Sequence, residues 1–260
     1  MIEIAGFSLR LYGLILTMGI LVAVWVSSRL AEKNGYDPKL INDVVSWVIV
    51  GGIIGARLYH VIDLWEYYGQ NLWQIVAVWN GGLGIFGALV GGFLGLASYG
   101  YFCVKNDRFK TLRGLTDIGI LGVPLAQSIG RWGNFVNEEL YGYPTDLPWA
   151  IYIHPESRLP GFEEIERYHP LFLYESLLSL LLFVILIELL RRKIFRLGEL
   201  KFLGLYLAGY GLIRFLLEFL RLEKWQINGI ATAQIVSVGM ILLGLFLLLR
   251  SITKRNKNDA

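Results

Sequence analysis

The chain is short of the residues from which many enzymes build their chemistry. Cysteine occurs once, as Cys103, and histidine three times, as His60, His154 and His169. A single cysteine cannot close an internal disulfide, so a disulfide scaffold is excluded. The histidines share no metal-ligand spacing with Cys103 or the carboxylates, and neither HExxH nor G-x-S-x-G occurs. No metal site is therefore expected. Charge is also scarce. Asp, Glu, Lys and Arg make up 17% of the 260 residues, against roughly 25% in soluble domains. No linker, internal repeat or low-complexity segment divides the chain, and Cys103 reads as a small packing residue.

Hydrophobicity is present instead, in long blocks. Residues of the AVILMFWYC set make up 55% of the chain, and the mean hydropathy is +0.53, which excludes disorder. A bilayer span needs about 20 apolar residues. Seven blocks qualify: Leu9–Ser28, Val44–Leu64, Val76–Val104, Leu115–Phe135, Pro170–Leu190, Phe202–Leu222 and Ala231–Leu249. These predict an all-α polytopic membrane protein, one transmembrane domain over residues 1–260 with seven transmembrane helices. Met1–Ser8 carries Glu3 and no basic residue, so the first block reads as a retained helix rather than a signal peptide.

Sixteen of the 24 Lys and Arg lie in alternate loops and the tail. The positive-inside rule then puts the N-terminus outside and the C-terminus in the cytoplasm. The net charge of +3 reflects this asymmetry and does not indicate nucleic-acid binding. The segment Val136–His169 is expected outside, as a small cap with too few residues for a core of its own. Gly87, Gly91 and Gly95 recur every four residues, a spacing suited to close helix packing.

Ionisable residues inside spans are costly, roughly 2.5–3.5 kcal/mol each near the midplane, so each is a candidate for function. Arg57, Arg131, Asn134, Arg214 and Glu218 fall within the predicted spans, and Glu175 opens the fifth. The topology brings them to the outer side, with Arg10 and Tyr12. Arg131 and Asn134 share a helix face, as do Arg214, Glu218 and Arg221. Snorkelling and structural ion pairs are the plain alternative, above all for Arg10 and Arg221. Several arginines at one level without equal acidic company point instead to an anionic ligand. A guanidinium binds phosphate oxygens through a planar fork, and the abundant phosphate esters of a membrane are lipid headgroups. A lipid-binding transporter or flippase could use the same arginines; a structural scaffold does not explain them.

The run Gly130-Arg131-Trp132-Gly133-Asn134-Phe135-Val136-Asn137-Glu138-Glu139-Leu140-Tyr141-Gly142 resembles G-R-x-[GA]-N-F-[apolar]-N-x-E-x-x-G, the signature of the bacterial prolipoprotein diacylglyceryl transferases. Tyr12-Gly13, Gly55-Ala56-Arg57, Trp79-Asn80-Gly81-Gly82-Leu83, His169-Pro170 with Tyr174-Glu175, Tyr210-Gly211 with Arg214, Glu218 and Arg221, and Gln234-Ile235-Val236-Ser237 match further family motifs.

The resemblance implies transfer of the sn-1,2-diacylglyceryl group of phosphatidylglycerol to the lipobox cysteine of prolipoprotein signal peptides, at the outer leaflet of the bacterial cytoplasmic (inner) membrane. It implies no metal or organic cofactor, and assigns Arg131 and Arg214 to the phosphate, with Arg57 as a weaker candidate. Asn134 hydrogen-bonds the headgroup, Glu218 orients Arg214 or Arg221, Tyr12 positions the thiol or relays its proton, and Glu139 and Gly142 shape the cap. Many members carry a histidine, proposed as a base, where this chain has Phe86. Phe86 is therefore expected to pack, and proton removal to need no histidine.

Overall fold

The computed structural model describes residues 2–4, 7–9, 11–105 and 107–258; Arg10 lies outside the described residues. The helices are α1 (Leu11–Lys33), α2 (Pro38–Asp63), the single turn α3 (Trp65–Tyr68), α4 (Ile85–Phe102), α5 (Arg108–Val136), α6 (Leu171–Arg191), α7 (Lys201–Leu217) and α8 (Thr232–Asn258). Among the described residues six helices are long and apolar enough to cross a membrane, namely α1, α2, α4, α6, Lys201–Leu220 and Thr232–Arg250. Large apolar side chains such as Leu89, Phe93 and Leu242 are exposed along them, as suits lipid contact. The fourth predicted block lies in α5, where Arg113, Asp117, Gln127 and Arg131 interrupt the apolar residues.

The third predicted block is too long at its start. Val76–Gly84 is not α-helical: a 3-10 turn spans Val78–Asn80, and Gly81 and Gly82 take φ of +87° and +73°. A helix cannot pass through left-handed backbone. The sixth block also ends early, because Glu218–Leu220 is a 3-10 turn and Arg221 is extended.

The helices gather into two compact units, residues 28–115 and residues 1–27 with 116–260. In the first, Asp37 accepts a hydrogen bond from Lys39 N at 2.9 Å and Pro38 opens α2, a well-formed helix start. The glycine repeat of α4 then meets a matching pair on α2. A Cβ on Gly91 would lie 2.2 Å from Gly51 O, and one on Gly55 would lie 2.3 Å from Gly87 O. The two backbones touch, as the spacing predicted. Phe86 packs against Tyr59, with ring centroids 6.1 Å apart.

In the second unit α1 lies along α5, where small residues again allow close approach. Gly19 faces Ala126, Ala23 faces Gly122, and the Tyr12 ring rests on Gly133. Helices α5 and α7 run side by side in the same direction: Asp117 reaches Gly198 and Leu200, Gln127 reaches Tyr206, and Arg131 reaches Tyr210. Asp117 is fully buried. Its carboxylate accepts the main-chain N–H of Gly198, Leu200 and Leu203 at 2.8, 2.9 and 3.3 Å. It therefore caps α7, whose own preceding residue Leu200 cannot.

The segment after α5 does build a small core, contrary to the expectation from its length. Tyr141, Ile153 and Tyr168 are buried together, ringed by Ile151, Leu159, Phe162 and Leu222. Strand Ile151–Tyr152 pairs antiparallel with Arg167–Tyr168. The Tyr141 hydroxyl donates to Ser157 O and accepts from Leu159 N, at 2.8 and 2.9 Å. Two tyrosines thus close the loop both by packing and by hydrogen bonding, which compensates for the short chain.

Three substitutions check these contacts by unfolding in mixed micelles. Gly91→Ala should destabilise by about 2 kcal/mol through overpacking, whereas Gly119→Ala, where nothing lies within 4 Å, should be neutral or slightly stabilising. Asp117→Ala, which strands three amides, should lose about 3 kcal/mol.

Candidate functional site

In the second unit the C-terminal end of α5, the N-terminal end of α6 and the C-terminal end of α7 converge on a narrow cleft, with room for little more than a water molecule between the side chains. Arg131, Asn134, Glu175, Arg214 and Arg221 line it with Leu140, Leu171, Phe172 and Leu217. The order follows from helical spacing. Arg131 and Asn134 stand one turn apart on α5, and Arg214 and Glu218 one turn apart on α7 and its 3-10 extension.

Glu175 is the hub. It is 3% exposed, and its oxygens meet Arg131 Nη2 at 2.8 Å and Arg214 Nη1 at 2.9 Å. The Tyr210 hydroxyl donates to the same carboxylate at 2.7 Å. Glu218, also buried, lies 3.4 Å from Arg214 Nη2 and 3.7 Å from Arg221 Nη1. Glu218 thus contacts both of the arginines it was expected to orient, Arg214 and Arg221. The Nε of Arg221 is buried and has no hydrogen-bond partner among the described residues.

Arg131 Nη1 donates to Asn134 Oδ1 at 3.2 Å, and Asn134 Nδ2 donates to Glu139 Oε1 at 2.7 Å. The amide of Asn134 is therefore fixed in orientation by a cation on one side and a carboxylate on the other. Gly142 N donates to His169 O at 3.0 Å, and Gly142 forms a bridge with Arg221. A Cβ there would sit 2.8 Å from Leu220 O. His169 Nδ1 lies 3.1 Å from the Tyr174 hydroxyl, which also accepts from Trp149 Nε1 at 2.8 Å.

Seven of the sequence-derived candidates, Arg131, Asn134, Glu139, Gly142, Arg214, Glu218 and Arg221, thus form one hydrogen-bonded and ion-paired neighbourhood. Tyr12 adjoins it through Gly133. Arg57 belongs to the other unit. Its Nε donates to Ile75 O, its Nη1 to Gly81 O and Gly82 O, and its Nη2 to Gln74 O and Ala77 O. A guanidinium has five N–H donors, so each already has a carbonyl. The Tyr68 ring lies 5.0 Å from its central carbon. In this arrangement Arg57 holds the turn 74–82.

The premise that the arginines lack equal acidic company needs correction. Three arginines share two buried glutamates, Glu175 and Glu218. The part played by Glu175 and Tyr210 was missed. Their signals were present, the Tyr174-Glu175 pair at the start of a span and the Tyr210-Gly211 pair one turn before Arg214.

The prolipoprotein diacylglyceryl transferase family matches residues 1–250. A phosphatidylglycerol–prolipoprotein diacylglyceryl transferase of Gloeobacter violaceus is 40% identical over 245 residues, covering 94% of this chain and 88% of the relative. The enzymes of that name from Fervidobacterium nodosum and Thermotoga maritima are 39% and 38% identical, over 99% and 96% of this chain and 86% and 84% of theirs. With the signature residues assembled around one cleft and this similarity over almost its whole length, the chain belongs to the prolipoprotein diacylglyceryl transferase family.

Proposed function

We propose that the chain transfers the sn-1,2-diacylglyceryl group of phosphatidylglycerol to the lipobox cysteine of prolipoproteins, with Arg131, Arg214 and Arg221 as its phosphate cradle. The observation that carries this reading is the convergence of those three arginines, with Asn134, on one cleft. The substrate thiolate attacks the glycerol carbon, a C–S bond forms, and the C–O bond to phosphate breaks. Glycerol 1-phosphate leaves, and its phosphate gains one negative charge as the bond breaks. Guanidinium donors held by Glu175 and Glu218 stabilise that growing charge. Asn134 contacts the headgroup, Glu218 and Glu175 orient the arginines, and Glu139 and Gly142 shape the adjoining cap.

The nucleophile comes from the substrate, so the chain needs no cysteine of its own here. A free thiol has a pKa of about 8.5 and is lowered by nearby cations. Tyr12 or Glu139 relays the proton; Phe86, packed on Tyr59, takes no part. Counting α5 as a span gives seven, and the basic residues at the start of α5 (Lys105–Arg113) and at the junction of α6 with α7 (Arg191–Lys201) support a cleft at the outer leaflet of the cytoplasmic membrane. The N-terminus is then outside and the segment about 136–169 an external cap.

The direct test incubates purified protein with phosphatidylglycerol and a lipobox peptide and weighs the peptide. A diacylglyceryl adduct is expected; lipid binding without an adduct refutes the reading. In the same assay Arg131→Ala should lower turnover by about 10²–10³-fold. Arg131→Lys should also be poor, because an ammonium does not reproduce the fork, and near-normal turnover in that variant counts against bidentate phosphate contact. Arg214→Ala and Glu218→Ala should be non-additive, the double variant no worse than the worse single. Independent effects on the logarithm of turnover would show that the two act separately.

A further inference from the structure

Helix α5 stops at Val136, and the chain then turns so that Glu139 reaches back to Asn134 while Leu140 lines the cleft. Two non-glycine residues take left-handed backbone to make this turn, Glu138 with φ of 50° and Leu140 with φ of 58°. A residue with a Cβ disfavours that backbone about tenfold, so the turn needs an anchor.

Glu138 supplies one from its side chain. Its Oε1 meets His154 Nδ1, and its Oε2 accepts the His154 main-chain N–H at 3.1 Å. Burial raises the Glu138 carboxyl, yet these contacts outweigh it and hold the group below its ordinary range. His154 is itself steadied by the edge of the Tyr152 ring, at 5.3 Å between centroids. On the other side of the same turn, Glu139 N donates to Asn134 O at 3.0 Å. Asn134 in turn holds Arg131.

We propose that Glu138 and His154 form a latch that holds the left-handed turn 137–140 and so orients Asn134 beside Arg131. Glu138 is a positioning residue acting through Glu139 and Asn134, and its kinetic effect rests on the phosphatidylglycerol site proposed above. Asn134 contacts the headgroup before and during reaction, so loosening it weakens binding uniformly and appears in KM.

Glycine makes the test specific, because it adopts left-handed backbone without an anchor. Glu138→Ala and His154→Ala should each raise KM for phosphatidylglycerol about tenfold, the size of the backbone preference, with kcat changed less than about twofold. Glu138→Gly should stay within about threefold of the parent, since the preference is gone. His154→Ala should then have no further effect in the Glu138→Gly background. Hydrogen exchange over residues 137–142 should follow the same pattern, faster in the two Ala variants and near the parent rate in the Gly variants. The exchange pattern in a protein that transfers nothing keeps the latch and removes the functional reading. A Gly variant as impaired as the Ala variant, or a His154→Ala effect that persists in the Gly background, overturns the latch.

Discussion

Glu175 joins three helices through one carboxylate. From α6 it binds Arg131 of α5 and Arg214 of α7, and it accepts the Tyr210 hydroxyl between them. Burying an ion costs several kcal/mol in real proteins, and the penalty is offset only when its partners are well placed. Here three donors surround an almost inaccessible group, so displacing any of them costs a buried contact. The positions of Arg131 and Arg214, and hence the shape of the cleft, follow from this arrangement.

Close packing sets the frame on which that carboxylate acts. Parallel α5 and α7 are joined through three rungs, Asp117, Gln127 and Arg131. Asp117 fixes α7 at its start, while Glu175 and Glu218 fix its other end. A helix held at both ends delivers Arg214 to a defined place. The glycine contacts of α1 with α5 then set where Tyr12 lies relative to Gly133.

Features governed by local spacing were legible in the sequence. The four-residue repeat of Gly87, Gly91 and Gly95 announced a close helix contact, though not its partners Gly51 and Gly55. Arg131 with Asn134, and Arg214 with Glu218, announced shared faces because they stand one turn apart. What depends on distant pairing was not legible. Nothing near Arg57 in the chain shows that five carbonyls from residues 74–82 surround it. Likewise Glu175 lies about forty residues from both arginines it serves, and Asp117 more than eighty from the amides it caps. Hydropathy overran at Val76–Gly84 because it weighs side chains and not the φ angles that Gly81 and Gly82 adopt.

If the cleft binds phosphate as proposed, the shared carboxylate also bears on how that phosphate leaves. Arginines already paired with Glu175 and Glu218 accept a ligand oxygen only by exchanging or sharing an existing contact, so ligand affinity is a difference between two anionic partners. A monoester dianion attracts guanidinium groups more strongly than the diester monoanion from which it forms. Without internal competitors, that preference would favour retention of the product. Resident glutamates narrow the difference, and after each departure they return the arginines to one pre-set geometry. The cleft therefore carries its own eluent, built from the same side chains that hold it in shape.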